Sequence, residues 1–536
     1  MNNDLQARLD AVFQTWNRSD APGVVASVVQ RGVPLLRKGY GLSSFESMVA
    51  NNPSTRMRIG STTKHFACVL ALLMQREGLI DIDAPLSRWF DELPAGQARR
   101  TLRELMNHTG GTRDYIDLSL MSNGMSVLPM DGPLDYQCRQ QEDNFAPGER
   151  FTYNNGGYRL LSIAIERVLD MPFADALKKW LFTPLGLHDT ELWVVDSDPK
   201  QGVANAHLLR PGGGFAKGVF PAAILGEGGI ISTLDDMQRW LAHLQAPTLW
   251  PAELTQMLLA PTRLNNGFAS AYGLGLIRET WRGVELIHHA GGVVGGSCQM
   301  LAVPAHELGI IVMSNRNDVS ASDLALKIVE ALHGDALAAA DPPATESQFH
   351  GLAGDYYCAA TGDHVELVAV EGAWHLKYFG MPLPLTVASD GMLAVNLLSV
   401  IAMQFSPEYG VDGGVVALNL VEQGYRHRFD RIDPAVIDEA SALAQVAGDW
   451  HSDELGADVE IGGDDARSVH VRGLHGRSRY ALTPLAAGVY AIRNTDGDVP
   501  MNGTLRLIQA GDGSPELMFN TMRTRHLRLH AARRHD

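Results

Sequence analysis

The chain has 536 residues and a formal net charge of −17, with 45% hydrophobic and 20% charged residues. Because this length exceeds what one hydrophobic core usually organises, it predicts two or three domains. The acidic charge argues against nucleic acid and anionic membranes as partners, since both need a basic face. The net charge places little restriction on the identity of a small substrate.

The sequence predicts neither a membrane span nor a signal peptide. No apolar run approaches the roughly 20 residues that a membrane span requires. The first residues, Met1 to Phe13, predict an amphipathic helix without the hydrophobic region of a signal peptide. We therefore expect a cytoplasmic protein.

The four cysteines are scattered without any Cys-x-x-Cys spacing: Cys68, Cys138, Cys298 and Cys358. Cys68 and Cys298 lie in apolar stretches. This pattern favours reduced, buried thiols over disulfides or a metal site.

The first predicted elements are two strands, residues 23–30 and 34–42, joined as a hairpin. A helix follows after a polar loop, because apolar residues recur at three- and four-residue spacing over residues 63–73. Residues 79–90 and 101–110 predict further helices and connections, the second ending at its glycines.

The helix predicted over residues 63–73 begins close to a serine and a lysine that can act together as nucleophile and base. Ser61 and Lys64 are three residues apart, so a helix places them on one face, one turn from each other. A lysine amine that is partly desolvated can accept the proton of a serine hydroxyl and make it nucleophilic. A buried structural lysine would give the same pattern.

A second Ser-x-x-Lys match shows how weak this motif is by itself. Chance predicts about two matches in a chain of this length, and Ser197 and Lys200 form one. Asp and Pro stand between them in a polar stretch, so no helix face holds the two side chains together. The apolar helical context therefore favours Ser61.

Residues 147–161 contain a Pro-Gly turn, a short apolar strand and then Asn and Gly before a helical run. This order places Tyr153 and Asn155 in a tight loop. Two interpretations are open. Tyr153 is either a packing residue at an asparagine-rich helix entry, or a general base beside an amide that binds the substrate carbonyl.

Glycine-rich strands precede the end of the first region. Residues 226–240 predict a strand or turn leading into a capped helix, and residues 284–303 predict a strand, a glycine-rich bend and another strand. Residues 308–315 predict a buried strand. Glycines in the bend, including Gly291 and Gly292, would let a substrate lie close against the backbone.

Two His-x-Gly sequences compete for a role beside the serine. His289 ends a strand before the glycine bend, whereas His108 ends a helix and most simply caps or braces its turn. Only the first context suits an edge strand that faces a substrate, although a single histidine is more often an ordinary core or surface residue.

The character of the sequence changes after residues 336–345, where helical patterns give way to short strands with Gly and Asp turns. Ala353-Gly-Asp-Tyr356 recurs as Ala447-Gly-Asp-Trp450, 94 residues later, and each copy ends in an Arg-His pair. Such a repeat predicts two similar β-barrel or sandwich domains. We therefore expect three domains: residues 1–335, 346–433 and 440–536.

The sets Ser61-x-x-Lys64, Tyr153-x-Asn155 and His289-x-Gly291 follow one another in this order. Together they resemble the motifs of the serine β-lactamases and penicillin-binding proteins, in the branch where His-x-Gly replaces Lys-Thr-Gly. The resemblance implies an α/β (α+β) catalytic domain of that fold. With two antiparallel β-barrel domains added, nearly the full length is similar to the D-aminopeptidases of this superfamily, and the matching stretches are residues 152–155, 272–275, 448–458 and 473–478.

The resemblance implies a role for each matched residue. Ser61 would attack the acyl carbon, and Lys64 and Tyr153 would share the role of general base, with Tyr153 then protonating the leaving amine. Which of the two accepts the first proton stays open. Further roles would fall to His289, which would orient Tyr153 or the substrate, and to Asn155, which would bind the substrate amide.

Backbone N–H groups of Ser61 and Gly292 would form the oxyanion hole, and neither a metal nor an organic cofactor would be needed. By resemblance, the activity is that of a D-stereospecific aminopeptidase releasing N-terminal D-residues from peptides, amides or esters. A homodimer and inhibition by some β-lactams are also implied. The alternatives are a class C-like esterase, a D,D-carboxypeptidase, a weak β-lactamase, or a non-catalytic binding protein.

One stretch departs from the D-aminopeptidase pattern. In those enzymes a loop of the last domain carries an acid toward the α-ammonium of the substrate, and residues 473–483 correspond to it. This loop has Arg477 and Arg479 and no acid. An arginine at contact distance would repel an ammonium by about one to several kcal/mol. Either another acid binds the ammonium, or Arg479 binds a substrate anion, or the arginines are a solvated face.

Overall fold

The structure, a computed structural model, describes residues 3–378, 380–395, 402–496 and 501–532. The N-terminal unit contains an antiparallel sheet of six strands. Its strands lie in the spatial order Ile277–Trp281, Val284–Val293, Gly296–Val303, Leu308–Ser314, Val24–Gln30 and Val33–Tyr40. The predicted hairpin and the predicted strands around the glycine bend are confirmed. Residues 1–2 and 533–536, the outer limits of the predicted domains, lie outside the described residues.

Helices cover both faces of this sheet, which buries its alternating apolar side chains on each side. Asn3–Val12 and Ala321–His333 pack on one face. Lys64–Arg76 and Leu234–Gln245 belong to the larger core on the other face. The other α-helices of this unit are Ala95–Ala98, Leu102–Met106, Tyr115–Asn123, Gly132–Arg139, Asn155–Leu169, Phe173–Leu177, Thr183–Leu185 and Ala252–Leu259.

Short elements connect these helices and strands. The π-helical turn is Lys178–Phe182. Among the described residues, the 3-10 turns are Gln14–Trp16, Gly60–Thr63, Leu86–Arg88, Pro304–His306, Gly334–Ala336 and Pro434–Val436. The two- and three-residue strands of the N-terminal unit are Leu42–Ser44, Val49–Ala50, Met57–Arg58, Glu191–Leu192, His207–Leu209, Phe215–Lys217, Ile230–Ser232, Thr262–Arg263 and Ala269–Ser270.

The helix predicted over residues 101–110 spans Leu102–Met106 and ends before the glycines. Thr101 and Glu104 form a capping box at its start, with the Thr101 hydroxyl accepting a hydrogen bond from the Glu104 N–H. Residues 79–90 contain only the 3-10 turn Leu86–Arg88, because Pro85 precedes it in an extended conformation.

Two closed eight-stranded antiparallel barrels follow, as the repeat predicted. The first consists of Gly354–Cys358, Asp363–Val370, Ala373–Tyr378, Met381–Val387, Leu393–Val395, Met403–Tyr409, Val415–Glu422 and Tyr425–Ile432. The helix Glu439–Ala444 leads to the second. The second consists of Gly448–Ser452, Ala457–Ile461, Ser468–Gly473, Arg477–Ala486, Val489–Asn494, Gly503–Gln509, Pro515–Asn520 and Leu527–Ala531.

The repeated aromatic residue has the same role in both barrels. Tyr356 donates its hydroxyl to the carbonyl of Leu352 at 2.8 Å, and Trp450 donates its indole N–H to the carbonyl of Val446 at 2.9 Å. Both rings are buried in the barrel interiors. In each barrel the aromatic ring therefore packs in the core while its polar atom stays hydrogen-bonded.

The cysteines are free thiols, as expected: Cys68, Cys298 and Cys358 are buried and Cys138 is partly buried. Among the described residues, no helix combines the length and apolar character that crossing a membrane requires.

The second barrel docks on the N-terminal unit through a fully buried arginine, Arg113. Its guanidinium donates to the carbonyls of Arg525 at 2.9 Å and His526 at 3.0 Å. It also forms an ion pair with Glu454 at 2.8 Å and donates to Gln140 at 3.1 Å. One side chain thus satisfies several buried acceptors across the interface between the two units.

We predict that Arg113→Ala destabilises this interface by about 3–5 kcal/mol, because Glu454 and two carbonyls lose their partner in a buried setting. Thermal or urea unfolding of the full chain should show a lower midpoint. Substitution of the exposed Arg88 by alanine is the matched control. Unfolding midpoints that are equal in the two variants would contradict the prediction.

Candidate active site

The turn that carries Ser61 lies backbone against backbone on the strand Val284–Val293. A Cβ atom at Gly60 would lie 2.8 Å from the carbonyl oxygen of Gly292, and one at Gly291 would lie 1.9 Å from the carbonyl oxygen of Ile59. Gly60 also has a positive φ of 52°. Glycine is required at these positions because no side chain fits between the two backbones.

Ser61 lies in the 3-10 turn Gly60–Thr63, and Lys64 is the first residue of the α-helix that follows. The Lys64 amine and the Ser61 hydroxyl are 3.1 Å apart. The amine also donates to Asn155 Oδ1 at 2.9 Å and to the carbonyl of Glu227 at 2.7 Å. The structure therefore brings the predicted serine, lysine and asparagine together.

This geometry suits a neutral lysine. Two carbonyl oxygens, those of Asn155 and Glu227, fix two N–H bonds of the amine. In the neutral form the remaining lone pair is then directed toward the Ser61 hydroxyl, which can donate to it. Burial lowers the pKa of Lys64 to about 7, opposed by the charges of Glu227 and Asp114 and assisted by that of Arg523. A serine proton acceptor is thus available near neutral pH.

Tyr153 lies beside this pair. The Lys64 amine is 4.7 Å from the centroid of its ring. Burial raises the pKa of Tyr153 well above its usual range, and the neighbouring Ser61 hydroxyl offsets part of that rise. No described residue meets hydrogen-bond geometry with the Tyr153 hydroxyl. The phenol is therefore protonated and free to donate to a bound group.

Asn155 begins the helix Asn155–Leu169, whose cap is Asn154, with a hydrogen bond from the Gly157 N–H at 2.8 Å. The Asn155 amide group and backbone N–H both donate to Asp114 Oδ2 at 2.8 Å. The asparagine-rich helix entry and the site arrangement are thus both present. Asp114 fixes the amide so that its oxygen points to Lys64.

His289 and His108, the two competing histidines, join one hydrogen-bonded chain through Tyr272. The Asn154 N–H donates to His108 Nδ1 at 3.1 Å, so His108 Nε2 carries the proton and donates to the Tyr272 hydroxyl at 3.2 Å. Tyr272 donates to His289 Nε2 at 3.1 Å, and His289 Nδ1 donates to the Ala290 carbonyl at 2.6 Å.

Both imidazoles in this chain are neutral. Burial, followed by the charge of Lys64, lowers the pKa of His289 to about 3, and burial also lowers the pKa of His108 well below its usual range. His289 is hydrogen-bonded to Tyr272 and not to the Tyr153 hydroxyl, and the His289 and Tyr153 ring centroids are 6.4 Å apart. His108 lies closer to Tyr153, at 4.3 Å between ring centroids.

Ser61, Tyr153, Asn155 and Gly292 line one cavity of about 450 Å³. This volume is typical of small-ligand pockets. Apolar residues of the helix Tyr115–Asn123 form part of its wall, and the charged residues among its described lining are Glu227 and Arg523. Gly292 therefore reaches the cavity with Ser61, as an oxyanion hole requires, whereas Gly291 packs against Ile59.

The second barrel contributes Arg523, which the sequence analysis missed. It lies in the connection between the strands Pro515–Asn520 and Leu527–Ala531, and its guanidinium carbon is 5.4 Å from the Tyr153 ring centroid. The repeated Arg-His pair, Arg525-His526, marked this part of the chain. Nothing in the sequence indicated that the residue two positions earlier reaches the cavity.

The corresponding connection of the first barrel contacts the segment that carries Tyr153. Gln423 lies between the strands Val415–Glu422 and Tyr425–Ile432. Its side-chain amide accepts from the Phe151 N–H at 2.7 Å and donates to the Phe151 carbonyl at 2.9 Å. A further cavity of about 620 Å³ lies among the three units, with Tyr153 and Arg523 in its wall.

The structure does not bring Arg479 to the cavity of Ser61. Arg479 forms an ion pair with Asp496 at 2.9 Å, and both it and Arg477 line an adjoining hollow that shares Leu120 and Met125 with that cavity. The second Ser-x-x-Lys match does not line the cavity either, and its lysine, Lys200, pairs with Glu191 at 2.7 Å. Within the part of the chain that the structure describes, no cluster of His, Cys, Asp and Glu has the composition of a metal site.

A partly exposed serine hydrogen-bonded to a buried lysine, a neighbouring tyrosine and a strand with a glycine bend on this fold define a serine hydrolase. The Beta-lactamase family model matches residues 9–334, and the chain belongs to that family. It is 27% identical to the D-aminopeptidase of Brucella ovis over 460 residues, which cover 85% of this chain and 83% of that protein.

Two further similarities extend over almost the whole chain. Identity to the D-aminopeptidase of Brucella anthropi is 25% over 524 residues, covering 94% of this chain and 93% of that protein. The octameric penicillin-binding protein homologue from Pyrococcus abyssi has a similar fold, with a TM-score of 0.55 and 18% identity over 99% of this chain and 100% of that one.

We predict that kcat/KM for hydrolysis of p-nitrophenyl acetate rises with pH through a midpoint near 7 and then stays level. Lys64, with its pKa lowered to about 7, must be neutral to accept the Ser61 proton, so activity is lost as pH falls below that value. The raised pKa of Tyr153 keeps the phenol protonated across the alkaline plateau.

Lys64→Arg is the control, because arginine stays charged throughout this range and cannot accept the proton. It should lose about 100-fold or more in kcat/KM. A midpoint near the usual lysine value, or an unchanged profile in Lys64→Arg, would rule out this role.

Proposed function

We propose that this chain is a D-stereospecific aminopeptidase that releases N-terminal D-residues through an acyl-enzyme on Ser61. The hydrogen-bonded Ser61–Lys64 pair at the base of the cavity carries the proposal, because it supplies an activated nucleophile. The similarity to D-aminopeptidases over both the catalytic unit and the barrels supports the choice of substrate. The implied homodimer and β-lactam inhibition stay predictions.

Acylation begins when Ser61 Oγ attacks the carbonyl carbon of the scissile amide and its proton passes to the neutral Lys64 amine. The backbone N–H groups of Ser61 and Gly292 donate to the oxyanion. When the C–N bond breaks, Tyr153 donates its proton to the leaving nitrogen and recovers one from the Lys64 ammonium. The net result is transfer of the serine proton to the leaving amine.

Deacylation repeats these steps with water in place of the serine. Water attacks the ester carbonyl and gives its proton to Lys64, and the C–O bond breaks as Ser61 Oγ regains a proton. The amino acid leaves as the carboxylic acid, which ionises to the carboxylate by losing a proton to solvent. Water is the co-substrate, and the protein returns to its starting protonation state.

An aminopeptidase needs an acid for the substrate ammonium, and Glu227 meets this need better than the turn with Arg477 and Arg479. Glu227 lines the cavity of Ser61. One of its carboxylate oxygens accepts from the Tyr115 hydroxyl at 2.9 Å and forms a long ion pair with the buried Arg159 at 3.7 Å. Among the described residues the other oxygen has no hydrogen-bond partner, so it is available to accept from a bound ammonium.

The proposed function is tested by steady-state hydrolysis of D-alanine p-nitroanilide, its L isomer and its N-acetylated form. We expect cleavage of the free D-amine alone, and its loss by more than about 100-fold in Ser61→Ala. Ser197→Ala, in the second Ser-x-x-Lys sequence, is the matched control and should keep full activity. Cleavage restricted to N-blocked substrates or esters would instead identify an esterase or another acyl hydrolase.

The role of Glu227 is tested by Glu227→Gln. We expect KM for D-alanine p-nitroanilide to rise about 10-fold or more, because a hydrogen bond to a charged group is lost. KM for p-nitrophenyl acetate should not change, since that substrate has no ammonium. The acidic limb of both pH profiles should move to lower pH, because the Glu227 charge raises the pKa of Lys64.

Glu253→Gln, at an exposed acid of the same unit, should change neither constant. If Glu227→Gln raises KM for both substrates alike, or for neither, another group binds the ammonium.

A further inference from the structure

The connection that carries Arg523 is held rigidly against the N-terminal unit. The Arg523 N–H donates to Asp117 Oδ2 at 3.2 Å, and its carbonyl accepts from the Asn144 amide at 2.8 Å. Two residues away on either side, the Thr521 hydroxyl donates to Asp117 Oδ2 at 2.8 Å and the Arg525 N–H donates to Asn144 Oδ1 at 2.7 Å. The second barrel therefore delivers one arginine to a fixed position at the cavity.

Within the described residues, the guanidinium of Arg523 contacts the Tyr153 ring but makes no hydrogen bond. Its ion pair with Asp114 Oδ2 is long, at 3.9 Å. That oxygen already accepts two hydrogen bonds from Asn155. The Arg523 side chain keeps 31% of its surface exposed, at the wall of the cavity. A planar fork of donors in this position suits a carboxylate.

The position relative to Tyr153 identifies which carboxylate could bind. Tyr153 donates the proton to the leaving nitrogen in the proposed reaction, and the Arg523 guanidinium lies over the same ring. In a leaving α-amino acid, a single carbon separates the nitrogen from the carboxylate. A carboxylate held by Arg523 therefore belongs to the residue that leaves. Simple amides and esters have no such group, and a longer peptide has a neutral amide there.

The charges on the cavity wall also fit a substrate whose leaving residue carries a carboxylate. Its described charged residues are one acid, Glu227, and one base, Arg523. A dipeptide with both ends free carries an ammonium at the acyl residue and a carboxylate at the leaving residue. The opposite order of charges would place like charges against each other, and a substrate with only one charge would leave Glu227 or Arg523 without a partner in the substrate.

We propose that Arg523 binds the carboxylate of the leaving residue, so that the preferred substrates are dipeptides with an N-terminal D-residue and a free carboxy terminus. This inference rests on the proposed aminopeptidase function and adds the identity of the leaving group. Arg523 is then a specificity-determining residue supplied by the second barrel.

The test compares D-alanyl-glycine with D-alanyl-glycinamide, two substrates that differ only in the terminal carboxylate. We expect the full-length wild-type protein to prefer the acid in kcat/KM. Arg523→Gln should lower kcat/KM for the acid about 10- to 100-fold more than for the amide, whose smaller loss follows from the Arg523 charge that assists in lowering the Lys64 pKa. Arg523→Lys keeps the charge without the fork and should fall between them.

Arg472→Gln, at an exposed arginine of the same barrel, is the matched control and should keep the wild-type preference. Equal losses of Arg523→Gln on both substrates would overturn the proposal, since they would mean that Arg523 acts through the charge it places near Tyr153 and Lys64. A wild-type preference for the amide would overturn it as well.

A binding measurement separates this inference from the proposed function. Calorimetric titration of the Ser61→Ala protein with each dipeptide reports affinity without turnover. Tighter binding of D-alanyl-glycine than of its amide, lost in Ser61→Ala/Arg523→Gln, supports carboxylate recognition even if neither substrate is hydrolysed by the wild type. Equal affinities would reject it, whereas hydrolysis of esters alone would reject only the aminopeptidase function.

Discussion

The close approach of two backbones, at the turn of Ser61 and the strand Val284–Val293, is the constraint on which the site depends. Gly60 and Gly291 make this approach feasible, because a Cβ on either would overlap a carbonyl of the opposing segment. The approach brings Ser61 and Gly292 to one cavity. It also fixes the start of the helix that places Lys64 against the serine. Main-chain packing therefore sets the positions of Ser61, Lys64 and Gly292 relative to one another.

Local patterns predicted much of the fold and part of the site. Ser61 and Lys64 are joined by one helical turn, and Tyr153 and Asn155 by one loop, so sequence spacing alone limits their geometry. The two barrels were predictable because the sequence repeats. The Tyr272 link between His108 and His289 was not, since it joins residues that are far apart in the sequence and meet only through tertiary packing.

Charged residues of the cavity escaped prediction for a related reason. Glu227 lies in a segment that the sequence marks only as a strand or turn, and Arg523 lies in one of many polar connections between barrel strands. The position of each on the cavity wall, with donor or acceptor atoms that make no hydrogen bond to the described protein, distinguishes them from ordinary surface charges. Arg523 reaches this position only because the second barrel packs on the N-terminal unit. Arg479, which the sequence offered as one alternative for binding a substrate anion, pairs with Asp496.

Equivalent hairpins of the two barrels, each between its seventh and eighth strands, reach the segment around Tyr153. In the first barrel Gln423 binds the backbone of Phe151, whereas in the second Arg523 faces the cavity. If the barrels arose by duplication, one copy retained a supporting role while its twin acquired a chemical one. The two barrels therefore hold the segment of Tyr153 from two sides, through a side-chain amide in one and a guanidinium in the other.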